Sequence, residues 1–209
     1  MAILGGTFDP VHWGHLLLAE TAQNQFSLDR VIWFPDRCPP HKSRQGGADF
    51  QQRWEMVNRA IADRPDFILL PANPVNLTEP SYAIETFLYL QPLAPQAQWF
   101  WIVGLDAFQT LPKWQRRAEL IPSCHWLVAP RPLLAGAEPE TVVCEQVAQQ
   151  IQAQGLQIEW QLLKMPSLDL SSSLIRHYCQ RGRSIHDLVP DAVRTYIEAQ
   201  KLYQTDLES

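Results

Sequence analysis

Short apolar runs rich in branched and aromatic residues recur along the chain: AIL at 2–4, RVIWF at 30–34, DFILL at 66–70, WFWIV at 99–103 and HWLVA at 125–129. Within each run the apolar residues are nearly continuous, as in strands buried on both faces. IEWQLL at 158–163 is a weaker sixth run. Longer segments with helical spacing lie between the runs, at 15–26, 50–63, 81–91 and 141–153. This alternation predicts an α/β fold: an open parallel sheet with helices on both faces, joined by right-handed crossovers. The tail differs. Residues 171–181 and 190–202 read as two consecutive helices separated by Gly182 and Pro190, a small helical C-terminal cap. The expected organisation is one domain over 1–209, with its core in 1–165 and the helical part in 166–209.

Composition narrows the function classes. The chain has 209 residues, 46% hydrophobic and 19% charged, which argues for a packed globular core and against disorder. The net charge of −5 gives no global field for nucleic acid, so any anion site must be local. Cys38, Cys124, Cys144 and Cys179 are scattered without a C-x-x-C pair, unlike a disulfide framework or a zinc site, and the expected compartment is the reducing cytoplasm. AILGG is too short for a signal peptide and lacks a basic start, and no apolar run approaches a membrane span.

One basic stretch stands out in this acidic chain. Residues 35–48, PDRCPPHKSRQGGA, hold three prolines, two glycines and four basic or imidazole groups, with no acid between Asp36 and Asp49. Such a loop suits a phosphate-facing lid, against the plainer reading of a solvated surface loop.

The densest chemistry lies in GGTFDPVHWGH, residues 5–15, between the first run and the first helix. Ligands of open parallel sheets bind beyond the carboxyl ends of the strands, which is where this string falls. Gly5 and Gly6 permit a sharp turn and close approach of a ligand to the backbone. The helix start offers N–H groups and partial positive charge to a phosphate. His12 and His15, three apart, share a face within a helical turn, so two imidazole donors form a compact anion clamp. Neither G-x-x-x-x-G-K-[ST] nor G-x-G-x-x-G occurs, and no third zinc ligand presents itself. Plain capping of backbone groups is the competing account of a bare H-x-x-H pair.

Other segments repeat this logic. In DLSSSLIR, Ser171, Ser172 and Ser173 are N-cap types before an apolar helix, and Arg176 lies one turn past Ser173. Hydroxyls, free N–H groups and a guanidinium converge there, where phosphate is favoured. A serine cap with a surface arginine is the alternative. Asp106, in VGLD after the fourth run, fits a capping box with Gln109 and equally a ribose acceptor. Any one of the eight tryptophans is more often packing than ligand-binding, but Trp114 has the polar neighbours Lys113, Gln115 and Arg116 and sits at an expected helix start.

GGTFDPVHWGH resembles the nucleotidyltransferase form of the H-x-G-H motif, and within that superfamily the nicotinate mononucleotide adenylyltransferase family. FPDRCPPHK, PSYAIETF, WIVGLDAF, LPKW, VAPRP and LSSSLIR resemble that family's segments in the same order, over nearly the whole chain. The resemblance implies a Rossmann-like sheet and transfer of AMP from ATP to nicotinate mononucleotide, giving the deamido dinucleotide and pyrophosphate. It implies catalytic roles for His12, His15, Lys42 and Arg176. ATP would be held by Gly5, Gly6, Thr7, Phe8, Gly104, Asp106, Arg131, Ser171, Ser172 and Ser173. The pyridine nucleotide would be held by Tyr82, Ala83, Ile84, Thr86 and Trp114, with Trp114 stacking on the pyridine ring and gaining cation–π attraction. Mg²⁺ would bridge phosphate oxygens with mostly water ligands and no fixed protein ligand.

Ala83 departs from the family, which often has Thr there, while Thr86 matches: if backbone N–H groups read the nicotinate carboxylate, Ala83 is harmless, and if the hydroxyl is needed, the preference for nicotinate over nicotinamide is weakened. The expected partners are ATP and nicotinate mononucleotide, with no nucleic acid and no membrane; self-association into a homo-oligomer stays open. Two rivals remain: an adenylyltransferase for phosphopantetheine or nicotinamide mononucleotide, and a regulator that holds ATP without turning it over.

Overall fold

The structure, a computed structural model, describes residues 1–37, 47–72, 82–130, 138–166 and 168–204. Six parallel strands form its sheet: β1 (Ala2–Gly6), β2 (Val31–Pro35), β3 (Phe67–Leu69), β4 (Phe100–Gly104), β5 (His125–Ala129) and β6 (Glu159–Leu162), in the order β3-β2-β1-β4-β5-β6. The chain runs outward from β1 through β2 to β3, returns to the other side of β1 as β4, and runs outward again. The strand order therefore reverses between β1 and β4. That switch point leaves a crevice beyond their carboxyl ends, where open α/β sheets bind ligands.

The continuous apolar runs follow from two-sided burial. Ala2, Leu4, Val31, Trp33, Ile102 and Leu127 feed one core; Ile3, Ile32, Phe34, Trp101, Val103, Trp126 and Val128 feed the other. Helices α1 (Trp13–Phe26) and α2 (Phe50–Ile61) cover the first face, and α3 (Ala83–Leu90), α4 (Leu105–Thr110), α5 (Arg117–Leu120) and α6 (Glu140–Gln152) cover the second. The weakness of the sixth run follows from exposure: β3 and β6 are both edge strands, but the residues of β6 alternate exposed and half-buried, whereas β3 buries Phe67 and half-buries the other two.

The last two helices are α7 (Ser172–Gln180) and α8 (Asp191–Ala199). Gly182, at φ 61°, ends the first with its N–H on the Cys179 carbonyl, and Pro190 precedes the second. They do not stand apart. Ile175, Val193 and Ile197 join Leu4, Leu16 and Met56 in the first core, so the C-terminal helices complete that face of the sheet. Among the described residues no helix is long and apolar enough to cross a membrane.

Candidate active site

The turn after β1 is held from several sides. Phe8 has a left-handed backbone, φ 49°, and buries its ring beneath the turn, T-shaped on His15 and tilted against Trp33. A Cβ on Gly6 would come within 3.1 Å of the Phe8 ring, so glycine there makes room for the fold-back. The guanidinium of Arg53, buried on α2, donates to the Thr7 carbonyl at 2.7 Å. Burial lowers the pKa of Arg53, while Asp9 and Asp36 among its acidic neighbours oppose the shift.

His12 is the N-cap of α1, with extended backbone, and His15 is its third helical residue. The His12 N–H donates to His15 Nδ1 at 3.2 Å, the role a Glu or Gln plays in a capping box. Their rings stack with centroids 3.7 Å apart and 25° between planes. With Nδ1 accepting, the neutral His15 ring carries its proton on Nε2 and offers it as a donor. His12 is 6% exposed, and its Nδ1 has no partner among the described residues. Burial lowers the His12 pKa to about 4. Burial, and then the neighbouring His12, push the His15 pKa well below the ordinary value. The pair is therefore neutral near pH 7, a pair of hydrogen-bonding groups rather than two fixed cations.

Gly14 completes this arrangement and was not singled out by the sequence reading. A Cβ there would lie 3.0 Å from both Cε1 and Nδ1 of His12, so glycine lets the imidazole fold against the helix start.

The second serine-rich segment meets the first motif directly. Ser171 caps α7 and accepts the Leu174 N–H at 3.2 Å. Ser172 Oγ donates to the Pro10 carbonyl at 2.9 Å. Arg176 Nη1 donates to the Asp9 carbonyl at 2.5 Å and lies 3.5 Å from Asp9 Oδ2, while Nη2 donates to Ser173 Oγ at 3.0 Å. Two helix starts far apart in sequence thus form one wall. Arg176 is buried rather than the surface arginine of the alternative reading, and its guanidinium ties that wall together.

The β4 side of the crevice begins at Gly104. The strand passes straight into α4, so the N-cap falls on Gly104 and Asp106 is the second helical residue. The expected capping box of Asp106 with Gln109 does not form, because the helix starts two residues earlier than that reading required. Nothing lies within 4 Å of a Cβ placed on Gly104, which leaves open space beside its backbone.

Trp114 follows a 3-10 turn at Leu111–Lys113 in extended conformation; α5 starts three residues later, so Trp114 is not at the helix start the sequence suggested. It is half-buried, T-shaped against both Trp101 and Trp126, and its Nε1 donates to Thr110 Oγ1 at 3.0 Å. At α3, Tyr82 is the exposed N-cap and Ala83 opens the helix, whereas Ile84 and Thr86 are buried beneath. The Thr86 hydroxyl has no partner among the described residues. Lys42 and Arg131, with most of the basic loop, lie outside the described residues.

A family model described as cytidylyltransferase-like matches residues 3–178, spanning the turn after β1, Gly104 and the start of α7. The chain belongs to the cytidylyltransferase-like family. A relative in Trichormus variabilis named "Probable nicotinate-nucleotide adenylyltransferase" is 47% identical, over all of this chain and 99% of that protein. One of the same name in Gloeobacter violaceus is 39% identical, over 97% of this chain and 95% of that protein. Among solved structures, Plasmodium falciparum nicotinic acid mononucleotide adenylyltransferase complexed with NaAD superposes with a TM-score of 0.76 at 19% identity, covering 99% of this chain and 98% of that one. That likeness shows that this cytidylyltransferase-like chain shares the fold of an adenylyltransferase.

Proposed function

We propose that the chain transfers the AMP moiety of ATP to nicotinate mononucleotide, releasing pyrophosphate and forming nicotinate adenine dinucleotide, a step of NAD biosynthesis. The observation that carries the proposal is the join between the two phosphate-type segments: Ser172 on Pro10 and Arg176 on Asp9 bring the α1 and α7 starts to one crevice edge. Full-length relatives with that enzyme's name support it.

An oxygen of the mononucleotide phosphate attacks the α-phosphorus, and the bond from that phosphorus to the β-bridging oxygen breaks as pyrophosphate leaves. The nucleophile is already an anion, so neither a strong base nor a covalent enzyme intermediate is needed. The thiols fit this economy: burial pushes Cys124 up to about 12 and Cys144 up to about 11. Catalysis then rests on position and charge stabilisation. His15 Nε2–H and His12 donate to phosphate oxygens. The α7 start, with Ser171, Ser172 and Ser173, receives the leaving phosphates, and Arg176 supplies positive charge from behind them. Lys42 is assigned to the same phosphates from the sequence.

Gly104 and Asp106 take the adenosine side, with Asp106 accepting from a ribose. The start of α3 at Tyr82 and Ala83 takes the nicotinate carboxylate through backbone N–H groups. Trp114 stacks on the pyridine.

Mg²⁺ bound with the nucleotide would supply charge neutralisation on the leaving phosphates. Among the described residues no three His, Cys, Asp or Glu side chains cluster for a metal, and Asp9 is occupied by Tyr203, Ala48 and Arg176. The donor set fits an ion carried by phosphate oxygens and water.

The cytoplasm is the compartment proposed; Cys124, Cys144 and Cys179 are free thiols, as a reducing setting requires. Labelling the α-phosphate of ATP tests the chemistry. Label appearing in the dinucleotide is expected, and label left in free AMP or ADP would place the attack on the β- or γ-phosphorus instead.

A further inference from the structure

The C-terminal end of the described chain returns to the first motif. Leu202 and Tyr203 are buried, although the helical tail has already ended. Lys201 and Tyr203 both have left-handed backbones, φ 50° and φ 61°, unusual for residues with side chains and costly by about 1 kcal/mol or more each. This conformation closes the end of α8, with the Leu202 N–H on the Ile197 carbonyl at 3.0 Å, and brings the Tyr203 hydroxyl to donate to Asp9 Oδ1 at 2.8 Å.

Asp9 is a junction. Its Oδ1 also accepts the Ala48 N–H at 3.0 Å, and Oδ2 faces Arg176 at 3.5 Å. Its backbone carbonyl takes the Arg176 guanidinium. One buried carboxylate thus joins the turn after β1, the segment entering α2, the phosphate-side helix α7 and the tail. The hydroxyl is the neutral side-chain donor in this set, so it orients the carboxylate without competing for its charge. Burial, and then Asp9, push the Tyr203 pKa up, which keeps the hydroxyl protonated as a donor.

We propose that Tyr203 is a positioning residue for the nucleotide phosphates: its hydroxyl fixes the Asp9 carboxylate so that Arg176 and the α7 start stay registered against the His12–His15 turn. The assignment of that wall to ATP rests on the function proposed above. A hydroxyl that only stabilised the fold would leave substrate affinities alone; one that registers the phosphate wall affects ATP and spares the pyridine side.

Tyr203→Phe keeps the ring and removes the hydroxyl. Its KM for ATP should rise about tenfold, the weight of one hydrogen bond to a charged acceptor, with the KM for nicotinate mononucleotide within twofold of the parent. Leu202→Ala is the packing control: it should lower Tm without separating the two KM values. Equilibrium binding of ATP to the parent and to Tyr203→Phe reads the same effect without turnover, so a chain that binds ATP but transfers nothing would fail the functional assignment while still reporting on Tyr203. The proposal is overturned if folded Tyr203→Phe binds ATP within twofold of the parent, or if both KM values rise alike.

Discussion

His15 Nδ1 accepts the backbone N–H of His12 at 3.2 Å while the two rings stack 3.7 Å apart. One hydrogen bond thereby caps the helix, fixes the tautomer of His15 and sets its Nε2–H as a donor. His15→Ala should lower kcat by about a hundredfold or more, as loss of a charge-stabilising donor does. The stability cost should be that of one cap, about 1 kcal/mol. His15→Gln separates the roles, because Gln serves as the third residue of a capping box. It should restore Tm but not kcat; recovery of both would reduce His15 to a cap.

Gly14 makes a matching steric prediction. A methyl at 3.0 Å from the His12 ring must move that ring. Gly14→Ala should lower kcat at least about tenfold and cost about 1–3 kcal/mol of stability, the range for overpacking. Gly104→Ala is its counterpart: its φ is −71° and no atom lies within 4 Å, so Tm should hold. Its KM for ATP should rise, because the added carbon occupies the space assigned to the nucleotide. An unchanged KM would move the nucleotide away from Gly104.

Much of this was legible in the sequence, and the reasons differ between elements. Five of the six strands announced themselves because their apolar residues feed one of two cores on alternate faces, whereas β6 alternates exposed and half-buried and has only half that signal. The turn and the serine helix carried local patterns that survive without tertiary context. Tyr203 and Arg53 carried none: their partners lie 194 and 46 residues away, and nothing local marks a tyrosine or arginine as a buried anchor. The start of α4 was misread because a strand can hand over to a helix with a glycine N-cap and no side-chain cap.

The neutral histidines predict a pH dependence of stability. His12 titrates near 4 in the folded chain and near 6.5 unfolded. The unfolded state therefore binds protons first, and this contribution, fully present above pH 6.5, is lost as pH falls toward 4. It amounts to about 3 kcal/mol, with His15 acting in the same direction. Denaturant melts of His12→Gln between pH 7 and 4.5 should show a shallower loss than the parent. Equal slopes would mean that His12 is not the group whose protonation is suppressed.

Trp114 is set by Trp101, Trp126 and the Thr110 hydroxyl. Trp114→Ala should raise the KM for nicotinate mononucleotide about tenfold or more and leave that for ATP within twofold, the scale of ring stacking with cation–π attraction. Thr110→Val should give a smaller rise in the same KM. Steady-state kinetics with each substrate varied in turn separates this from a general loss of fold.

Adenylyl transfer to a nicotinate nucleotide is open to a direct assay. Its most direct measurement is pyrophosphate release by the purified chain with ATP and Mg²⁺, run side by side on nicotinate mononucleotide and nicotinamide mononucleotide. Turnover is expected with the nicotinate form, and a kcat/KM at least about tenfold lower with the nicotinamide form, the weight of one charge-assisted contact to the carboxylate. No pyrophosphate with either mononucleotide would contradict it.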